Sequence, residues 1–202
     1  MIALVRKGNE MNKELFNNLT SGDGSSRVLA LIKSCGLDKI VVNYSGGGDS
    51  GGMDNMEFYP DDVISKTVKD VLESSLEDTL CEPIYSKHGS FADGGGYYVN
   101  GRVTWDAKNE IVTIDGTDYI TEYTWNDDED EEYEGEESEI PWEEVLYSKE
   151  DLEEDLDYGK DYELVYIYSQ IFGKLPEEFH NQMLTIAATN EDEDAKNYIK
   201  SV

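Results

Sequence analysis

Positive charge is scarce in this chain: sixteen Lys and Arg stand against forty-six Asp and Glu among 202 residues, a formal −30 at pH 7. Such a surplus repels nucleic acid and anionic membrane, which excludes direct binding to either, and it favours cationic partners. Cysteine is scarcer still. Cys35 and Cys81 are too few and too far apart for a disulfide framework or a clustered zinc site, and they read as small buried thiols in a reducing compartment. The two histidines, His88 and His180, have no ligand-spaced neighbours, so metal binding is not expected of them. No apolar run reaches the length of a membrane span, and the apolar residues 2–5 are too short for a secretory core. A soluble, cytoplasmic protein without a cofactor is the expectation.

What the chain does have is aromatic residues, fourteen Tyr, five Phe and three Trp, enough for a substantial core despite a hydrophobic fraction of 38%. Its charge is uneven. Residues 1–100 carry 15 acids and 9 bases, whereas residues 101–202 carry 31 acids and 7 bases. Between Asp127 and Asp157 eighteen acids face a single base, Lys149. Adaptation to high salt would acidify the whole surface, so this concentration points instead to a specific use.

Periodicity divides the chain further. Residues 12–19 and 26–34 read as helices, and residues 39–44 as a strand entering the Gly-rich loop 45–52. Residues 53–59 return as a second strand. Asp61 and Asp62 then suit a helix N-terminus, and Ile64, Val68, Val71, Leu72, Leu76 and Leu80 recur at helical spacing. After another Gly-rich turn come the strands 97–105, 110–114 and 117–125, the last two joined at Asp115-Gly116, a hairpin signal. Residues 126–139 are too polar for core. Val145, Leu146, Leu152 and Leu156 suggest short helical turns, residues 162–172 a buried helix or strand, and Pro176 the start of a last helix. The expected fold is α+β: an antiparallel meander with hairpins, packed with two to four helices. The expected divisions are an α+β domain at 1–125, an acidic loop or insert at 126–139, and an acidic C-terminal segment at 140–202 packing on or beside the first domain.

Three motifs bear on chemistry. Ser45-Gly46-Gly47-Gly48-Asp49-Ser50 resembles the SGGxDS loop of the pyrophosphatase-loop ATP enzymes, in which backbone N–H groups cradle pyrophosphate at a helix start. Gly51, Gly52, Asp54 and Asn55 follow and disfavour that helix, and Asp49, Asp54 and Glu57 would repel phosphate. Gly48-Asp49-Ser50-Gly51-Gly52 also spells the nucleophile motif of trypsin-like proteases, but both histidines come after Ser50, the wrong order for that family. Asp130, Glu132, Glu134 and Gly135 imitate part of an EF-hand loop whose closing carboxylate position is Pro141, so no dedicated calcium site is expected.

Residues 41–52 and 94–114 resemble an uncharacterised domain family of phages and mobile elements, with a strand, a GxGDSG loop, a returning strand and a later Gly-Gly-led meander. The resemblance covers about the first 125 residues and assigns no site. In composition the chain is similar to the acidic phage inhibitors that imitate nucleic acid. This implies a protein–protein role, in the cytoplasm of a host cell, against a basic nucleic-acid-binding protein such as a CRISPR or restriction complex. The residues expected to bind that partner are Asp127, Asp128, Glu129, Asp130, Glu131, Glu132, Glu134, Glu136, Glu137, Glu139, Glu143, Glu144, Glu150, Asp151, Glu153, Glu154, Asp155 and Asp157, with Tyr133, Trp142 and Tyr147 as aromatic anchors. No catalytic residues are assigned. The alternatives are an ATP-binding enzyme using the SGGGDS loop, a structural or assembly module, and a merely solvated charge run.

Overall fold

The structure is a computed structural model, and it describes residues 11–21, 24–47, 50–89, 97–121, 124–125, 132–133, 137–153, 162–189 and 192–202. The fold is α+β. Five antiparallel strands form the sheet: β1 (Lys39–Gly47), β2 (Ser50–Tyr59), β3 (Tyr97–Asp106), β4 (Ile111–Thr121) and β7 (Glu137–Tyr147), in the order β2-β1-β3-β4-β7. A small ribbon of β5 (Thr124–Trp125) and β6 (Glu132–Tyr133) lies between β4 and β7 in sequence. The helices are α1 (Lys13–Thr20), α2 (Gly24–Ser34), α3 (Lys66–His88), α4 (Lys149–Glu153), α5 (Glu163–Phe172), α6 (Glu177–Thr189) and α7 (Glu193–Ser201). That is more than the two to four expected, because short elements such as α4 and α7 carry too few apolar residues to show a period.

Alternation along the strands sets the two faces of the sheet. Ile40, Val42, Tyr44, Val99, Val103, Trp105, Val112 and Ile114 point to one side and are buried. On that side α2 packs on β1, and α3 packs on β2 and β3. Helix α3 contributes Val68, Leu72, Leu76, Leu80 and Ile84, one buried residue every fourth position. It begins at Lys66, where the Ser65 hydroxyl accepts from the Val68 N–H, so Asp61 and Asp62 lie ahead of the helix and not in its first turn. Helix α5 packs against α1, α2, α3 and α7, and its buried Leu164, Val165, Ile167 and Tyr168 join the same hydrophobic cluster as the sheet. One core therefore runs across the expected divisions of the chain.

Three expectations are corrected. Asp115-Gly116 is no turn: β4 passes straight through both residues, with Asp115 opposite Arg102 and Gly116 opposite Gly101. The turn between β3 and β4 lies where the sequence places one, at 106–109, and is closed by Asp106, whose carboxylate accepts from the N–H groups of Lys108 and Asn109 at 3.1 and 2.9 Å, with Glu110 in the left-handed region at φ 56°. The third strand of the meander is also not 117–125 but β7, so the acidic stretch lies inside the meander. Val145 and Leu146 belong to that strand and not to a helical turn. Pairing with β4 overrides their weak helical spacing, and Pro141 is tolerated because β7 is an edge strand.

The glycine pair has a packing cause. A Cβ at Gly101 would stand 2.5 Å from the Asp115 carbonyl oxygen and 2.6 Å from the Tyr44 hydroxyl. One at Gly116 would collide with the Asn100 carbonyl and come within 3.0 Å of the Trp142 ring. The side chains of Tyr44 and Trp142 fill the space that these two glycines leave. Gly101→Ala or Gly116→Ala is expected to destabilise the protein by about 2 kcal/mol or more, because backbone has to move. Gly24→Ala, which meets nothing within 4 Å, is expected to stay within about 1 kcal/mol of the parent. Urea unfolding of the three variants checks both statements.

Candidate functional site: the acidic edge strand and the open sheet face

Beyond its pairing with β4, strand β7 sends one aromatic residue into the body. Trp142 sits over Gly116, donates its indole N–H to Asp118 Oδ1 at 2.8 Å, and lies 5.5 Å from the His88 ring. Lys87 Nζ stands 4.8 Å above its ring centre and pairs with Glu144 Oε2 at 3.2 Å. The C-terminal end of α3 thus clamps β7 through a cation–π contact and an ion pair. His88 is fixed in turn by two phenols, with Nε2 3.1 Å from the Tyr44 hydroxyl and Nδ1 3.1 Å from that of Tyr97. Burial, followed by the fields of Asp118, Tyr97 and Asp115, pushes the Tyr44 hydroxyl pKa well up, so it stays protonated as a hydrogen-bonding group.

The structure places the expected partner-binding residues as follows. Glu137, Glu139 and Glu143 are exposed, and their alternation puts all three on the face of the sheet that the helices leave open. Glu144 points to the other side and is taken by Lys87. Glu150 and Asp151 occupy the first turn of α4, where Asp151 accepts from the Ser148 N–H and hydroxyl, bonds that hold its carboxyl below the usual range. Tyr147 is exposed. Trp142 is half-buried and engaged internally, where it anchors the strand. Glu132 and Tyr133 form β6, and Glu153 ends α4. Asp127, Asp128, Glu129, Asp130, Glu131, Glu134, Glu136, Glu154, Asp155 and Asp157 lie outside the described residues.

Beside β7 the open face continues across all five strands. One cross-strand row runs Ser50, Gly47, Tyr98, Tyr119, Glu139. A parallel row holds Asn43, Arg102, Asp115 and Glu143, with Arg102 Nε 3.1 Å from Asp115. Glu57 takes hydrogen bonds from the Tyr59 hydroxyl and from Asn43, which lower its carboxyl pKa. Tyr98 and Tyr119 have no place among the residues the sequence singles out. Their only signal is alternation with the buried Val99 and the mid-sheet Gly116, which becomes readable once the registers are known.

The SGGGDS segment is the tip of the β1–β2 hairpin. Strand β1 extends through Gly47 and β2 opens at Ser50, and the Ser45 hydroxyl donates to Asp54 at 2.9 Å. A strand follows the loop where a pyrophosphate cradle of that kind needs a helix. Gly48 and Asp49 lie outside the described residues.

Elsewhere, Lys33 and Lys149 reach the two oxygens of Glu110 at 3.3 and 3.6 Å, across a groove of about 470 Å³ between α1, α2 and α4. The one base of the acidic run is therefore drawn back toward the body. Cys35 and Cys81 are buried free thiols, pushed by burial up to about 12 and about 11 respectively. His180 Nδ1 meets the Tyr198 hydroxyl at 2.9 Å. Among the described residues no group of three or more His, Cys, Asp or Glu is arranged to hold a metal ion, and no helix is long and apolar enough to cross a membrane. No family model, curated protein or solved structure matches the chain.

Trp142→Ala removes the ring, its hydrogen bond and the cation–π contact together, at a cost of about 2 kcal/mol for a half-buried indole. The expected result is faster cleavage within 137–147 by a glutamate-specific protease, with cleavage after the equally exposed Glu177 and Glu178 unchanged.

Proposed function

We propose that this protein is an acidic inhibitor that imitates nucleic acid, occupying the basic surface with which another protein grips DNA or RNA. Linear charge density carries the reading. Residues 127–136 hold eight carboxylates in ten positions. Even fully extended at about 3.4 Å per residue, that places a charge at least every ~4 Å, against one per about 3.4 Å along each strand of B-DNA. Along β7 the same-face carboxylates Glu137 and Glu139 stand about 6.8 Å apart and Glu143 follows about 13.6 Å further on, a sparser continuation on an ordered scaffold. A basic cleft built for phosphates meets comparable density here without a backbone it can cut or unwind.

Host defence complexes of the CRISPR or restriction type are the partners with most to lose from such a competitor, a choice that follows the phage-like signature of the first 125 residues. In that setting the protein acts without a cofactor and without catalysis. Capture of basic nucleic-acid-binding proteins from a host lysate on the immobilised full chain is expected at low salt, with release as ionic strength rises toward 0.5 M or so. Charge reversal at Glu129, Glu131, Glu137 and Glu139 is expected to abolish both capture and competition with duplex DNA for the captured protein. Asp49→Ala with Ser50→Ala is expected to change neither. Full potency after the charge reversal contradicts the proposal.

A second reading has its own observation. β7 is an eleven-residue edge strand bearing Pro141 and several carboxylates, the means by which open sheet edges avoid pairing with one another. If edge protection is their whole purpose, Glu137→Gln, Glu139→Gln and Glu143→Gln together will produce oligomers while leaving capture intact.

A further inference from the structure

The open sheet face next to β7 carries a feature that acidity alone does not require. We infer that it is a platform for arginine side chains: the Tyr98 and Tyr119 rings stack the guanidinium groups of a basic protein segment, and Asp54, Glu137 and Glu139 hold their charge. This inference rests on the proposed function and specifies how the partner is gripped.

Four observations converge. Tyr98 is 49% exposed, in the middle of a sheet whose opposite face is packed with core. Its cross-strand neighbours in the same row are Gly47 on one side and Tyr119 on the other, so the two tyrosine side chains leave adjacent strands on the same face with Cβ atoms about 5 Å apart. Gly47 is bare for a reason, since a Cβ there would run into the Tyr98 ring, which leans over the glycine and turns its other face outward. A shallow groove of about 770 Å³ lies over this region, and among the described residues its charged lining is Asp54 and Glu137, with no Lys, Arg or His.

The chemistry selects the ligand. Carboxylates beside the rings disfavour nucleobases with their phosphates, because phosphate would meet Asp54, Glu137 and Glu139. A planar cation is favoured twice, by the quadrupole of the ring and by the flanking charge. Arginine is preferred to lysine, since its flat guanidinium stacks on an aromatic face and is more weakly hydrated. Among the described residues, the nearest cation in the registers of this face, Arg102, is held by Asp115 at 3.1 Å in a different row, which leaves the tyrosine row to an incoming group. Asn100, whose amide donates to the Tyr119 hydroxyl at 3.3 Å, fixes that ring at the floor of the groove.

The test uses fluorescently labelled nona-arginine and nona-lysine peptides, equal in length and charge, titrated with the full chain at one low ionic strength. The parent protein is expected to bind nona-arginine about threefold to tenfold tighter than nona-lysine. In the Tyr98→Leu, Tyr119→Leu double variant that preference is expected to fall to near parity, with nona-lysine affinity within about twofold of the parent. The Tyr98→Phe, Tyr119→Phe variant keeps the rings and is expected to keep the preference, which separates stacking from any loss of folding. Equal binding of the two peptides by the parent protein, or a preference that survives loss of both rings, overturns the platform while leaving the acidic-mimic reading in place. Absence of binding to either peptide overturns both.

Discussion

The indole of Trp142 is the contact on which the placing of the acidic edge strand depends. Around it meet a glycine that yields it room (Gly116), an acid that takes its N–H (Asp118), a lysine over its face (Lys87) and the histidine end of the long helix. Remove that joint and β7 keeps its backbone pairing with β4, the Lys87–Glu144 pair and Leu146 against the core, while its carboxylates repel the acids before and after it in the chain. The glycines opposite each other at 101 and 116 are equally part of the joint. A β-branched residue at either position would strengthen the strand locally and evict Tyr44 or Trp142 from the layer above.

Electrostatics oppose this fold more than they support it. A formal −30 on 202 residues is self-repulsion with few counter-charges. Some of the scarce bases stand where acidic elements meet the body, Lys87 against Glu144 and Lys33 and Lys149 on either oxygen of Glu110, while Arg102 pairs with Asp115 across β3 and β4. Each such surface pair contributes at most about 1 kcal/mol. The favourable term large enough to hold the chain is the single core shared by the sheet, α2, α3 and α5. The open face can therefore be strongly charged because stability is vested on the opposite face of the same sheet. Adding salt should raise stability rather than lower it, since it screens repulsion that outweighs the few attractive pairs.

Much of this was legible in the amino-acid sequence, and the failures have physical causes. The stripe from Val68 to Leu80 shows helix α3 directly, because four-residue spacing has no other use. The strand cores around Val42 and Val103 are equally plain. Asp115-Gly116 misleads because a dipeptide suited to a tight turn is also what a crowded mid-strand crossing needs, and only the register with Gly101 separates the two. β7 was hidden by its acids and by Pro141, residues that oppose strand formation except at an edge. Of the acidic surface, the exposed positions Glu137, Glu139, Glu143, Glu150 and Asp151 are readable from charge alone, whereas the inward role of Trp142 is not. The tyrosine row was invisible for the same reason as the glycine pair: it exists only across strands.

An acidic mimic is useful to the extent that its carboxylates are held in order before the partner arrives, since a floppy anion loses affinity to the entropy of fixing it. The most direct measurement is amide hydrogen exchange of the free protein, resolved along 137–147. Protection of the β4-facing amides of β7 close to that of their partners in β4, at low salt and without any ligand, is the result expected. Exchange of those amides at the rate of an unstructured chain, while β1, β3 and β4 remain protected, would contradict a preformed acidic strand and with it the mimicry built upon it.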